Sequence, residues 1–385
     1  MTRKVWIVAG EASGDTHASA LMREILTRNP EVEFHGVGGP KMKALAGDHL
    51  NDWIHEAGVL GLWDVLKKYG YFKTQFDQMI DALTKLKPEA IILVDYPGFN
   101  LRMAKALRER KVHLKIIYYI SPQVWAWNRG RIPKMARILD LMLCIFPFEK
   151  PLYEKSGLKT EFVGHPMMEH LALERTDEPR DPDLLGLFPG SREREVRKIF
   201  PSMLAAAKIV SERRPETRIE ASAASPRLAA MMEEMTREAQ IPCKVSVAMA
   251  HPLMQHAAAG LVCSGTATLE AAFFRLPYAL VYKVAWVTYF VGRMLVTIKF
   301  LGIVNILAGR AIVKEFIQGD AQPQAMADEM LRLLNDPQAR ATCTRDLNDV
   351  ISQLGETGAS TRAAECVLDV LQSPSQNPAS HHGIS

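Results

Sequence analysis

The sequence predicts an α/β protein made of two doubly wound parallel sheets in tandem. Three observations carry this. Short apolar runs of strand length alternate with amphipathic helical stretches along most of the chain. The alternation breaks once, at the polar, Pro- and Asp-rich residues 174–183, and then resumes. The chain has 385 residues, more than one hydrophobic core usually organises. Domains are therefore expected over 1–173 and 184–345.

In the first half, residues 5–9, 90–94, 115–119 and 141–146 are continuous apolar runs, the pattern of parallel strands covered on both faces. Helical stretches lie between them at 17–27, 71–86 and 101–110. In the second half, strands are expected at 184–188 and 218–221 and near 245 and 261. Helices are expected at 194–213, 227–239, 325–335 and 346–371. Residues 284–304 are as long as a membrane span but contain Arg293 and Lys299. That reads either as a helix lying in a membrane interface or as a buried helical hairpin. The tail at 373–385, rich in Ser, Pro and His, is expected to be disordered.

The net charge of +4 is too small to indicate nucleic acid and suits an anionic ligand or membrane surface. Five scattered cysteines with no Cys-x-x-Cys pair read as reduced residues of a cytosolic protein and do not suggest a zinc site. The apolar run at 5–9 is too short for a secretion signal and is followed at once by Glu11 and Asp15.

Five loops follow strands and so fall at the ligand-binding ends of the sheets. The most informative is Ser264-Gly265-Thr266, with Thr268 and Glu270 behind it. A strand, a small-residue turn and a helix start offer backbone N–H groups and a positive helix end, which suit phosphate. Glu270 is placed to reach a ribose hydroxyl. Gly190-Ser191-Arg192 is a second such turn, with a cation suited to a departing diphosphate. At the N-terminus the turn carries Glu11, Ser13 and Asp15 instead. Those acids would repel a pyrophosphate and suit hydroxyl-rich ligands, or simply complement a helix start. Asp95, at the end of the strand 90–94 beside Pro97-Gly98, reads equally as a general base or as a turn aspartate. Ser121, Trp125 and Trp127 form a stiff aromatic loop, suited to a sugar face or an acyl chain, or to a core corner. The basic run Arg129, Arg131, Lys134, Arg137 reads as a solvated face or as a contact for anionic groups. His165 reads as structural. GxxxxGK[ST], GxSxG and HExxH patterns are absent from the sequence, which argues against a P-loop NTPase, an α/β-hydrolase and a zincin.

Nine motifs in order resemble the lipid-A-disaccharide synthase family of glycosyltransferases. They are GEASGD (10–15), GVGGPKM (36–42), GLWDVL (61–66), SPQVWAW (121–127), FPFE (146–149), FVGHP (162–166), PGSR (189–192), SGTATLEA (264–271) and NILAGR (305–310). The resemblance implies a GT-B fold, two Rossmann-like domains around a cleft, with the last helix, 346–371, returning to the first domain. It implies transfer of sugar from UDP-2,3-diacylglucosamine to 2,3-diacylglucosamine 1-phosphate with inversion, release of UDP, and no metal or other cofactor. On this basis Asp95 and Arg192 are the catalytic candidates. Gly190, Ser191, Arg192, Ser264, Gly265, Thr266, Thr268, Glu270, Asn305 and Arg310 are expected on UDP. Glu11, Ser13, Asp15, Ser121, Trp125 and Trp127 are expected on the acceptor side. The acylated substrates imply a cytoplasmic protein attached peripherally to the inner membrane, with residues 284–304 and 53–76 as candidate acyl contacts. The same pattern allows a homodimer and involves no nucleic acid. The chain departs from the family after NILAGR, at Ala311 and Lys314, so no role is carried onto 311–317. Two alternatives stay open: a UDP-sugar 2-epimerase on the same fold, and a peripheral membrane protein that binds nucleotide-sugar without turnover.

Overall fold

The computed structural model describes residues 2–54, 69–176, 178–283, 299–355 and 357–372. The chain divides into two compact units, Met1–Pro166 with Gly355–Ser385, and Met167–Leu354.

The first unit is a parallel seven-stranded sheet of β1 (Arg3–Ala9), β2 (Val32–Gly38), β3 (Leu50–Asp52), β4 (Ala90–Val94), β5 (Lys115–Tyr119), β6 (Leu141–Cys144) and β7 (Thr160–Phe162), in the order β3-β2-β1-β4-β5-β6-β7. Among the described residues, the helices between these strands are α1 (Ala12–Arg28), α2 (Pro40–Ala46), α3 (Tyr69–Leu86), α4 (Pro97–Glu109), α5 (Val124–Trp127), α6 (Ile132–Ile138) and α7 (Glu149–Glu154). The central strands are apolar beyond their first residues because helices cover both faces; all five residues of β4 are fully buried. Strand order reverses between β1 and β4, which pair with Ile7 opposite Ile92. Their carboxyl ends, Ala9-Gly10-Glu11 and Val94-Asp95-Tyr96, therefore flank a switch-point crevice.

The second unit repeats the plan with six parallel strands: β8 (Asp181–Phe188), β9 (Arg218–Ala223), β10 (Cys243–Val247), β11 (Ala257–Cys263), β12 (Tyr278–Tyr282) and β13 (Lys314–Ile317), in the order β10-β9-β8-β11-β12-β13. Its helices are α8 (Met167–Leu173), α9 (Glu193–Arg213), α10 (Pro226–Glu238), α11 (Ala250–His256), α12 (Thr266–Phe273), α13 (Ile303–Ala308), α14 (Pro323–Asn335) and α15 (Pro337–Ser352). The long helix α9 buries Val196, Ile199, Phe200, Met203, Ala207 and Val210, one apolar stripe at helical spacing laid on the sheet. The switch point lies between β8 and β11, where Leu187 pairs with Leu261.

Two expectations about the boundaries change. Residues 346–371 are not one helix. The chain breaks at Gly355 (φ +82°) and Gly358 (φ +95°), conformations that favour glycine, and a final helix α16 (Ala359–Gln372) belongs to the first unit. There Thr361 donates to Glu24 of α1 (2.9 Å), and the Arg362 Nε donates to the Val163 carbonyl (2.9 Å). The polar stretch 174–183 is not a free linker either. Arg180 donates to the carbonyls of Met254 and Ala257 (2.7 Å each) and of Phe274, tying the stretch to the second unit, and Asp181 already begins β8. The division falls instead between Pro166 and Met167.

Most of 284–304 and most of 53–76 lie outside the described residues. Among the described residues, no helix is long and apolar enough to cross a membrane.

Candidate active site

The second unit holds a cavity of about 560 Å³ at the carboxyl ends of β8, β9 and β11, within the range of small-ligand sites. One wall is the turn Gly190-Ser191-Arg192 after β8, and another is Ser264-Gly265-Thr266 after β11. Both glycines have positive φ, +107° for Gly190 and +146° for Gly265. A Cβ at Gly190 would also lie 2.8 Å from the Glu195 carboxylate. Helices α9 and α12 start here, and neither start carries a side-chain cap, so backbone N–H groups and two positive helix ends point to an anion. Arg192 is 83% exposed, with its Nη1 3.2 Å from Glu195. An exposed pair of this kind binds weakly, so the guanidinium is available to a ligand.

The third wall comes from the turn into α11, Ala248 to Pro252. His251 sits between two carboxylates, its Nδ1 2.7 Å from Glu174 and its Nε2 3.5 Å from Glu270. Glu270, then Glu174, push its pKa up to about 9 against the opposing effect of burial. It is therefore an imidazolium at neutral pH, and it fixes the carboxylate of Glu270 at the cavity.

Three residues expected on UDP have other work. Thr268 is buried, and its hydroxyl donates to the Gly265 carbonyl (2.7 Å), closing the first turn of α12. Asn305 is fully buried. Its Oδ1 accepts from Ile312 and Val313 N–H, and its Nδ2 donates to the Val313 carbonyl and to Glu315. It shapes the loop into β13, helped by Glu315, which also accepts from the N–H groups of Leu301 and Gly302. Arg310 forms a two-pronged pair with Asp346 of α15, at 2.8 and 3.1 Å, away from the cavity-lining residues. In each case a polar group is consumed by the fold.

In the first unit, Asp95 lies at the switch point. Its backbone N–H donates to Tyr119, and its carbonyl accepts from the Asn100 side chain (2.8 Å) and the Tyr118 hydroxyl (2.5 Å). Both Asp95 and Tyr96 adopt left-handed backbone (φ +46°), a costly turn held by those bonds. Burial, and then the charge of Glu11, raise the Asp95 pKa to about 6. The Tyr96 ring lies against Gly10, where a Cβ would come within 2.4 Å of it, and Trp53 donates to the Ala9 carbonyl (2.7 Å). Glu11 and Ser13 are exposed at the start of α1.

The remaining acceptor-side expectations divide. Asp15 is buried, and its carboxylate accepts from the N–H groups of Gly39, Lys41 and Met42 at 3.0–3.1 Å. It anchors the start of α2, so GEASGD and GVGGPKM are two halves of one structural joint. Trp125 is buried and donates to Glu149 (2.9 Å), whose carboxylate burial raises to about pKa 7. Ser121 is buried beside that carboxylate. Trp127 is half-exposed under Arg131, whose guanidinium lies 5.0 Å from the ring centroid. His165 is buried, with a pKa lowered to about 3 chiefly by that burial, and so stays neutral.

A sequence model of the lipid-A-disaccharide synthetase family matches residues 5–370. The chain belongs to the lipid-A-disaccharide synthase family. The synthase of Persephonella marina is 37% identical, covering 96% of this chain and 99% of its own. That of Geobacter metallireducens is 38% identical, covering 96% and 97%. Among solved structures, the UDP-GlcNAc 2-epimerase of Neisseria meningitidis bound to UDP-GlcNAc aligns with a TM-score of 0.63 at 12% identity, over 95% of this chain and all of its own. A calicheamicin glycosyltransferase aligns with a TM-score of 0.59 at 15% identity, over 96% and 98%. At those identities the likeness shows the shared GT-B fold. The lipid-A-disaccharide synthases are glycosyltransferases, and the motifs of the family sort by position here. PGSR and SGTATLEA line the cavity, whereas GVGGPKM, FPFE and NILAGR brace the loops. His251 and Glu174 carry no sequence signal of their own. They are 77 residues apart and meet because the end of α8 lies beside the start of α11.

Proposed function

We propose that this member of the lipid-A-disaccharide synthase family transfers the sugar of UDP-2,3-diacylglucosamine to the 6-hydroxyl of 2,3-diacylglucosamine 1-phosphate. The products are the β-1,6-linked disaccharide 1-phosphate and UDP. The convergence of two uncapped helix starts, Arg192 and the held carboxylate of Glu270 on one cavity supports this most directly. In this reading Gly190, Ser191, Ser264, Gly265 and Thr266 offer backbone and hydroxyl donors to the diphosphate. Arg192 meets the charge that grows as UDP leaves, and Glu270 accepts from the ribose diol. The acceptor oxygen attacks the anomeric carbon in line, with inversion. The bond to the diphosphate breaks with its electrons, and the hydroxyl proton passes to Asp95. A carboxylate with a pKa near 6 is ionised at neutral pH yet more basic than an ordinary aspartate, which suits a general base. Glu11 tunes it.

Purified protein is expected to release UDP only when both acylated substrates are present. UDP release from the donor alone, or recovery of an epimerised sugar nucleotide, would replace this reading with the epimerase one. The epimerase likeness rests on the fold alone, at 12% identity, whereas the synthases share 37–38% over nearly the whole chain. Because both substrates carry acyl chains, we place the protein on the cytoplasmic face of the inner membrane, held peripherally through residues 284–304. Replacing Val291 and Leu295 with Asp should then abolish flotation with liposomes while the protein stays folded. Unchanged flotation sinks this assignment.

A further inference from the structure

We propose that Glu33, His35 and His49 form a site for one divalent transition-metal ion of the zinc class, at the outer edge of the first unit's sheet. The topology brings them together. Glu33 and His35 are alternate residues of β2, so they share one face of the sheet. β3 pairs with β2 only from Gly36 onward, with Gly36 opposite Leu50. His49, at the end of the 3₁₀ turn Gly47–His49, therefore arrives beside His35. The two imidazole rings lie 4.6 Å apart, tilted by 51°, and Glu33 accepts from the far nitrogen of His35. One ligand atom from each residue lies within 4.8 Å of the other two.

The donor set decides the class of ion. Two imidazoles and one carboxylate suit Zn²⁺, Cu²⁺ or Ni²⁺, whereas Ca²⁺ and Mg²⁺ need more oxygens. Bonds of roughly 2.0–2.1 Å in a tetrahedral site put ligand atoms about 3.4 Å apart. His49 is exposed, so its side chain is the one that would turn to close the remaining gap. A neighbouring hollow of about 410 Å³, lined by Glu33 and His49 among others, leaves room for water or a small ligand in the fourth position. The bound ion would staple the 3₁₀ turn and the three-residue edge strand β3 to β2, and so would favour the folded first unit by linkage. A simple hydrogen bond between Glu33 and His35 beside a second imidazole is the competing reading.

Calorimetric titration of chelator-stripped, full-length protein with Zn²⁺ separates the two. The wild-type chain should bind one more ion than His35→Gln/His49→Gln. The tail residues His381 and His382 are present in both proteins and cancel. Glu33→Gln should weaken the site by at least about tenfold, the scale seen when metal-site support is removed. Co²⁺ in place of Zn²⁺ should give a visible absorption band in the wild type alone. Circular dichroism without metal checks that the variants are folded. If the double variant fails that check, the single His49→Gln, at an exposed position, carries the comparison. Equal stoichiometry and affinity in wild type and variant, or no Zn²⁺ bound at micromolar concentration, would overturn the site.

Discussion

Asp95→Asn lowers turnover by at least about 100-fold, the usual scale for general-base catalysis, and leaves UDP affinity unchanged. The amide is the same size, and asparagine tolerates the left-handed backbone that Asp95 adopts at φ +46°. The turn therefore survives, and only the proton acceptor goes. The loss corresponds to about 2.7 kcal/mol of barrier. Stability should not fall with it. The folded pKa of about 6 lies above the ordinary aspartate value of 3.8, so between roughly pH 4 and 6 the folded state holds more proton than the unfolded chain. Asp95 then lowers stability as pH rises through that window, and Asn removes the effect. Activity runs the other way. A base works only as the carboxylate, so kcat/KM should drop as pH falls through about 6. Since the charge of Glu11 is one of the two causes of the raised pKa, Glu11→Gln should move this acid limb to lower pH. Near-normal turnover in Asp95→Asn would remove Asp95 from the base role. An acid limb that ignores Glu11 would show that some other group sets it.

The second large effect is at Arg192. Arg192→Ala should lower kcat/KM by about 100-fold or more, the cost of deleting one donor aimed at developing charge. At 83% exposure, the side chain is not packed into the core, so the melting temperature should barely move. Loss at His251 should look different. His251→Gln leaves Glu270 unheld in ground state and transition state alike, so it should raise KM for the donor and leave kcat at saturation in place. In the wild type, UDP binding should weaken as pH rises through about 9, where the imidazolium that faces Glu174 and Glu270 is lost. Arg192 and Glu195 also line this cavity. If Arg192→Ala turns over normally and only UDP affinity falls, Arg192 is a ground-state contact and not a catalytic residue.

The two turns at 190–192 and 264–266 were legible in the sequence because a strand, a glycine turn and a helix start form a local unit. Its geometry follows from neighbouring residues, and its position at the carboxyl end of a parallel strand makes it face ligand. The bonds that Asp15, Thr268 and Asn305 make to the backbone are not legible in the sequence, for one shared reason. A short polar side chain in a loop looks the same whether it meets a ligand or a backbone N–H, and all three bond backbone. β2 shows the opposite failure. Its run, Val32 to Gly38, interleaves Glu33 and His35 with apolar residues, so it lacks the continuous apolar signal of its neighbours.

By itself, then, the sequence determined the two doubly wound sheets, the family, and which turns follow the carboxyl ends of strands, because periodicity and turn chemistry act over a few residues. Only the tertiary structure decided which polar groups are consumed by the fold and which are presented to a ligand. That depends on segments far apart in the chain: 39–42 closing over Asp15, 312–315 over Asn305, α8 bringing Glu174 to His251. The raised pKa of Asp95 belongs to the same class, since burial and the nearness of Glu11 exist only once β1 and β4 lie side by side.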